Sequence, residues 1–143
     1  MIIREVKETD VQDLSSLMNQ FGYPTTEQEM RVRYEKIKNN PHYFTIVAEV
    51  DDTIVGIVGL FRGHFYERNE VSVRIVAFVV DERYRKIGIG KQLIAKAEKW
   101  AKDVGALGIG LTSGKRDERE VAHRFYKRLG YVDSSIGYVK KFD

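Results

Sequence analysis

The stretch from Ile75 to Trp100 restricts what this chain can fold into more than any other. An apolar run, Ile75-Val76-Ala77-Phe78-Val79-Val80, precedes Arg85-Lys86-Ile87-Gly88-Ile89-Gly90, and Lys91-Gln92-Leu93-Ile94-Ala95-Lys96-Ala97-Glu98-Lys99-Trp100 follows. That order predicts a strand, a short basic glycine-containing loop, and a helix. Such a turn aims several backbone N–H groups, and the positive end of a helix dipole, at one point in solvent. The ligand suited to that point is an anion, most often a phosphate. A Cβ at Gly88 or Gly90 would obstruct its approach to the backbone. Arg83, Arg85, Lys86 and Lys91 are expected to add mobile positive charge there. A basic helix start with no ligand fits the same six residues; a second motif, further along, argues against it.

Two common phosphate loops are excluded. No G-x-x-x-x-G-K-[ST] occurs, and a Rossmann fingerprint needs three glycines with an acidic residue roughly 20 positions later. What stands here is R-x-x-G-x-G. It resembles the acetyl-coenzyme A loop of the GCN5-related N-acetyltransferase (GNAT) superfamily, in which [QR]-x-x-G-x-[GA] holds the cofactor pyrophosphate.

Size and composition suit one small domain covering 1–143. A chain of 143 residues with 43% hydrophobic and 31% charged side chains is ordinary for a globular protein. The net charge of +3 is too small to argue for nucleic acid or membrane binding, and it fits a site receiving a polyanion. Basic residues are interspersed with acids rather than gathered into a groove-sized patch, so no nucleic-acid partner is expected. Without cysteine there is no disulfide framework, thiolate nucleophile or Cys-based metal site. His42, His64 and His123 have no ligand-like spacing, so no metal is expected. The first eight residues lack the apolar core of a signal peptide, and no stretch approaches the ~18 apolar residues of a membrane span. A cytoplasmic protein is the expectation.

Along the chain, residues 2–6 read as a strand. Thr9-Asp10 are placed to cap a helix with Val11, Leu14, Leu17, Met18 and Phe21 on its apolar face, broken by Gly22-Tyr23-Pro24. Thr26-Glu27-Gln28-Glu29 is a capping box opening a helix with Met30, Tyr34 and Ile37, stopped by Asn39-Asn40-Pro41. Strands are expected at 42–50 and 53–61 around a turn at Asp51-Asp52, then a loop at 63–69 and a long strand at 71–80. Helix three should bury Leu93, Ala97, Trp100, Ala101 and Val104, and a buried strand should follow at 107–112. A fourth helix, about 118–129, has Val121, Ala122, Phe125 and Leu129 as its inner face and Gly130 as its C′ residue. Residues 131–142 are expected to close the sheet. The order βααβββαβαβ predicts an α/β fold with a mixed, partly parallel central sheet flanked by about four helices.

The second motif is Ala122-His123-Arg124-Phe125-Tyr126-Lys127-Arg128-Leu129-Gly130-Tyr131. It looks like the GNAT segment written A-x-x-[FL]-Y-x-x-x-G-[FY], and with R-x-x-G-x-G it forms a specific pair. The element order also matches the superfamily along the whole chain. The resemblance implies the acyl-CoA N-acyltransferase fold and an N-acetyltransferase using acetyl-CoA as cosubstrate. Small bacterial acetyltransferases acting on amines, including aminoalkylphosphonate and aminoglycoside types, are the most similar. The implied partner is a small-molecule amine, and a homodimer is expected.

The resemblance places chemistry on residues of this chain. Backbone groups of Phe78, Val79 and Val80 pair with the pantetheine arm, and an N–H among them polarises the thioester oxygen. The amides of Arg85, Lys86, Ile87, Gly88, Ile89, Gly90 and Lys91 take the pyrophosphate, although Lys86 stands where a third glycine is common. Tyr126 matches the tyrosine that protonates the coenzyme A thiolate. Its alternative is a core aromatic beside Phe125, but Phe125 belongs to the Val121/Leu129 stripe and Tyr126 does not. Relatives often carry a carboxylate late in the long strand as general base; here Ile75, Val76, Ala77 and Phe78 occupy those positions. Glu70, Glu67 and His64 are the substitutes in reach of the sequence, with a water chain, or an amine that binds already neutral, as the alternative. Relatives often place Asn after the fifth strand, where this chain has Ser113, followed by Lys115 and Arg116 as candidates for the 3′-phosphate. For the acceptor, Phe21, Tyr23, Phe65 and Tyr66 offer aromatic surface, Glu67 and Glu70 attract a cation, and His64, Arg68 and Arg74 complete the set. Protein N-termini or lysines are an alternative substrate class, and a non-catalytic acyl-CoA sensor an alternative function.

Overall fold

The computed structural model describes residues 1–113 and 120–142, which fall into two compact units, Met1–Gly110 and Leu111–Asp143. The order is β1 (Ile2–Glu5), α1 (Val11–Phe21), α2 (Glu27–Lys38), β2 (Tyr43–Val50), β3 (Thr53–His64), β4 (Val71–Val80), α3 (Ile89–Asp103), β5 (Ala106–Leu111) and α4 (Glu120–Arg128). The five strands form one sheet in the order β1-β2-β3-β4-β5. β1 to β4 pair antiparallel. The chain passes from β4 to its neighbour β5 through α3, the crossover that a parallel neighbour requires, and the sheet is mixed.

Local chemistry explains the boundaries. Asp51 and Asp52 both adopt positive φ, 49° and 62°, which is the type I′ geometry that suits a two-residue hairpin. Thr26 and Glu29 form the reciprocal capping box at α2, with Glu29 N donating to Thr26 Oγ1 at 3.1 Å and Thr26 N to Glu29 Oε1 at 3.2 Å. Asp10 does not cap α1 with its side chain. Its carboxylate is taken instead by Arg4, at 2.8 and 2.9 Å, and by the Lys7 amide at 2.7 Å. Arg4 also reaches Glu49, tying β1, β2 and the start of α1 together. Burial alone would raise the Asp10 pKa, but Arg4 and the Lys7 amide outweigh it and hold the carboxyl below its usual value.

The sheet carries helices on both faces of the first unit. Val47, Ile57 and Val79 share a face and pack with Val11, Leu14, Leu17, Met30 and Tyr34 of α1 and α2. The opposite face holds α3. Phe44 stacks on Trp100 at 5.1 Å, and Ile89, Leu93, Ile94, Ala97 and Ala101 are buried. Gly56 lies on that second face: a Cβ there would sit 2.9 Å from Leu93 Cδ1 and 3.4 Å from Ile89 Cγ2. The first turns of α3 therefore rest directly on the backbone of β3.

Several expectations are corrected. β3 runs on to His64, so Gly63 and His64 pair with Ser72 and Val71 instead of opening a loop. Pairing with the long β4 extends it, because each added rung satisfies further backbone groups. β5 is not a buried strand: Leu107 is 72% exposed, as the sheet-edge position and the small Gly108 and Gly110 allow. α4 has no fully buried residue and Val121 is 63% exposed, so Val121 is not part of an inner face. Within the second unit Gly130 does end α4, with φ 92° and Tyr131 N donating to Tyr126 O at 3.0 Å. Residues 131–142 carry no strand. Ser134, Ser135 and Gly137 are poor strand formers, and no ladder pairs this segment among the described residues. The expected helix start at Glu118 lies outside the described residues.

The close approach at Gly56 generates a test. Gly56→Val forces β3 and α3 apart and should destabilise the protein by about 1–3 kcal/mol, read by denaturant unfolding. Unchanged stability would show that α3 is not seated through this contact.

Candidate active site

β4 delivers the chain to the candidate site. Its register with β3 is broken once: Gly59 pairs with Ala77 and Leu60 with Ile75, leaving Val76 as a bulge. Beyond it, Phe78 opposes Val58, Val79 opposes Ile57 and Val80 opposes Gly56. Val79 is buried in the core with α1 and α2, while Phe78 and Val80 are half-buried. These three residues thus end the strand directly before the loop.

The turn after β4 is held by polar contacts. Asp81, 5% exposed, caps a short 3₁₀ turn at Glu82–Tyr84 by accepting from Arg83 N at 2.9 Å. The Arg83 guanidinium grips the same carboxylate at 3.2 and 3.0 Å. The Asp81 amide donates to Val55 O at 2.8 Å, fastening the turn to β3. Gln20, in the last turn of α1, accepts from Glu82 N at 3.0 Å. The Arg83 guanidinium, with the Arg83 amide and Gln20, outweighs burial and holds the Asp81 carboxyl at about 2.

The loop itself has two residues in the left-handed region, Lys86 with φ 66° and Gly88 with φ 92°. Gly88 is the N-cap of α3 and has no side chain to fill the position, so Gln92 N donates to Gly88 O and the earlier amides have no i−4 carbonyl. These amides lie at the positive end of a 15-residue helix, an arrangement suited to an anion. The expected mobile charge is corrected in part. Arg83 is committed to Asp81, and Arg85 turns back so that its Nε donates to Val80 O at 3.2 Å. Both arginines find partners close by along the chain. Lys86, Ile87 and Lys91 are exposed, while Ile89, the first residue of α3, is buried and Gly90 follows it.

Other candidates lie farther away. Glu70 stands beside the first residue of β4, about 25 Å along the strand from Phe78. His64 pairs with Val71 at that same end, where its ring meets His42 edge-on at 6.2 Å. Arg74 opposes Phe61, four residues before Phe78. Tyr66 is fully exposed in the following loop, with exposed Phe65, Glu67 and Arg68 around it. Tyr23 is exposed past the end of α1, its ring 5.2 Å from Phe21. In the second unit, Ser113 follows β5, and Tyr126 is half-buried on α4 with its ring 5.6 Å from Phe125 and 6.0 Å from Tyr131. Tyr126 and Phe125 are therefore ring neighbours and not separated onto unrelated faces. Lys115 and Arg116 lie outside the described residues. Among the described residues, no group of three or more His, Cys, Asp or Glu side chains is placed to hold a metal, and no helix is long and apolar enough to cross a membrane.

Sequence reasoning missed Gln20 and Asp81. The available signal was the Asp-x-Arg spacing directly after a strand, an arrangement in which a carboxylate caps the amide two residues on. Nothing local in α1 singles out Gln20.

Comparison with known proteins gives a consistent result. The Acetyltransferase (GNAT) family model matches residues 10–131. An aminoalkylphosphonate N-acetyltransferase of Salmonella typhimurium is 34% identical over 102 residues, 71% of this chain and 63% of the relative. The aligned part thus spans less than two thirds of that protein. Among solved structures, a GNAT family acetyltransferase of Staphylococcus aureus is 33% identical with a TM-score of 0.85, covering 99% of this chain and 98% of the other. An aminoglycoside N-acetyltransferase in complex with CoA is 19% identical with a TM-score of 0.85, covering 98% and 93%, a likeness of fold alone.

The Asp81 cluster predicts a pH-dependent stability. Its carboxyl is at about 2 when folded against an ordinary 3.8, so its contribution is complete above pH 4 and is lost as pH falls through 2. Arg83 is largely open to solvent, which screens the pair and leaves a contribution of about 1–2 kcal/mol. Asp81→Asn should cost that amount at pH 7, and unfolding curves of variant and parent should converge between pH 4 and 2. A gap undiminished at pH 2 would contradict the assignment.

Proposed function

The chain belongs to the acetyltransferase (GNAT) family, and on that premise we propose that it transfers the acetyl group of acetyl-CoA to a primary amine of a small molecule. The observation that carries this reading is the start of α3: left-handed Gly88 directs first-turn amides outward, immediately after the end of β4. That cradle fits a pyrophosphate, with Arg85, Lys86, Ile87, Gly88, Ile89, Gly90 and Lys91 supplying amides and the exposed lysines adding charge. CoA bound to the aminoglycoside acetyltransferase supports the same cosubstrate here.

In this reading the chain 1–143 works as one domain, and Phe78, Val79 and Val80 align the pantetheine arm through their backbone. An N–H among them polarises the thioester oxygen. The neutral amine attacks the thioester carbon directly in a ternary complex and loses its proton to water, the C–S bond breaks, and the Tyr126 hydroxyl donates a proton to the departing thiolate. A phenol with a pKa of ~10 is well matched to that transfer. Ser113 supplies a hydroxyl near the end of β5. Glu70 lies too far along β4 to take a proton at Phe78 itself, so no protein carboxylate is assigned as the base. For the acceptor, Tyr23 and Arg74 are the proposed contacts; His64 and Tyr66 lie with Glu70 at the far end of β4, out of reach of a small amine at Phe78. The name of the Salmonella typhimurium relative supports an acceptor bearing both an amine and an anionic group.

One observation favours a second reading, a non-catalytic acyl-CoA sensor: the late part of β4 offers no carboxylate, only Ile75, Val76, Ala77 and Phe78. Thiol release from acetyl-CoA, measured against aminoalkylphosphonates, polyamines, aminoglycosides, amino acids and peptides, separates the two. Turnover is expected with a small amine, and Tyr126→Phe should lower kcat about 100-fold. Full turnover in that variant removes Tyr126 from its role. Acetyl-CoA binding without release on any acceptor supports the sensor.

A further inference from the structure

We infer that Gln20 is a positioning residue for the phosphate-binding loop, holding the turn from which that loop starts and thereby setting affinity for coenzyme A. The inference rests on the acetyl-CoA reading above and adds to it a residue outside both sequence motifs.

The loop is fastened at both ends. At its far end Ile89 and Leu93 are buried against Gly56. At its near end Asp81 N is bound to Val55 O, and Arg85 Nε to Val80 O. These contacts fix where the chain leaves the sheet but not how the 3₁₀ turn is tilted. Gln20 supplies that missing constraint from a separate element. Its amide oxygen accepts from Glu82 N at 3.0 Å. That bond ties the first residue of the 3₁₀ turn to α1, a point outside the sheet, and so constrains the tilt of the turn. Between this turn and α3 lie left-handed Lys86 and Gly88, whose amide directions follow from the tilt given to the turn.

A purely structural role accounts poorly for this glutamine. α1 is docked by Val11, Leu14 and Leu17, all at most 2% exposed, and by Asp13 Oδ2, which accepts from Ile54 N at 3.0 Å. Gln20 itself is exposed and adds no apolar burial. The 3₁₀ turn also closes without it, through Tyr84 N donating to Asp81 O at 2.8 Å and Arg83 N to the Asp81 carboxylate. Its remaining effect is to preorganise amides that would otherwise be ordered at the expense of binding energy.

The test is calorimetric titration of acetyl-CoA into the full chain, with Tm recorded for each variant. Gln20→Ala should weaken binding about three- to tenfold, the loss of one exposed hydrogen bond, with Tm within about 2 °C of the parent. Gln20→Glu keeps an acceptor for Glu82 N but brings a second carboxylate towards that of Asp81. It should bind no better than Gln20→Ala. Asp13→Ala removes the acceptor for Ile54 N and loosens α1 elsewhere; it should lower Tm and leave affinity as in the parent. Parental affinity in Gln20→Ala, or equal weakening in Asp13→Ala, overturns the inference while leaving the cofactor reading intact. A parent protein that binds no acetyl-CoA overturns both.

Discussion

The direct contact of α3 with the backbone of β3 at Gly56 is the constraint on which the candidate site depends. A helix resting on side chains can slide as those side chains repack, whereas one resting on backbone has a fixed stand-off. Here Ile89 and Leu93 occupy the space that a side chain at position 56 would fill. Gly56 also pairs with Val80, so the residue that receives α3 is the one that holds the end of β4. The strand end and the helix start are thus referenced to the same point. The first-turn amides of α3 therefore stand in a set relation to the carbonyls and amides of Phe78 to Val80.

Polar contacts then do what apolar packing cannot, which is to orient irregular backbone. Three of them join α1 or its entry to the sheet: Arg4 with Asp10 and Glu49, Asp13 with Ile54 N, and Gln20 with the turn after β4. Their burial differs, and so does their expected weight. Asp10 is 5% exposed and would be left as an uncompensated buried charge without Arg4, so that cluster concerns stability. Gln20 is open to water and adds little to stability, but it bears on backbone geometry beside the site.

Much of this was legible in the sequence, for identifiable reasons. Periodicity and capping chemistry are local, and they gave α1, α2 with its Thr26–Glu29 box, the Asp51-Asp52 hairpin and the Gly88 start of α3. The ends of strands were read less well because pairing, a non-local property, decides them: β3 reaches His64 only because β4 is long enough to meet it. The Val76 bulge is invisible in sequence for the same reason. Charge was over-read around the loop. Arg83 and Arg85 count as positive in any composition, yet each is consumed by a nearby acceptor, Asp81 or Val80 O. The expectation that residues 131–142 close the sheet had no local signal for the neighbour they would pair with.

The bulge also bears on the absent carboxylate. Before it, Arg74 shares the face of Phe61 and Ile75 that of Leu60; after it, Ala77 shares the face of Gly59 and Phe78 that of Val58. On the face that carries α1 and α2, the rung beside the bulge is therefore made of Gly59 and Ala77, which leave room and no ionisable group. Val76 is 44% exposed there and is apolar as well. From Ile75 to Val80 the strand therefore presents no side chain able to take a proton.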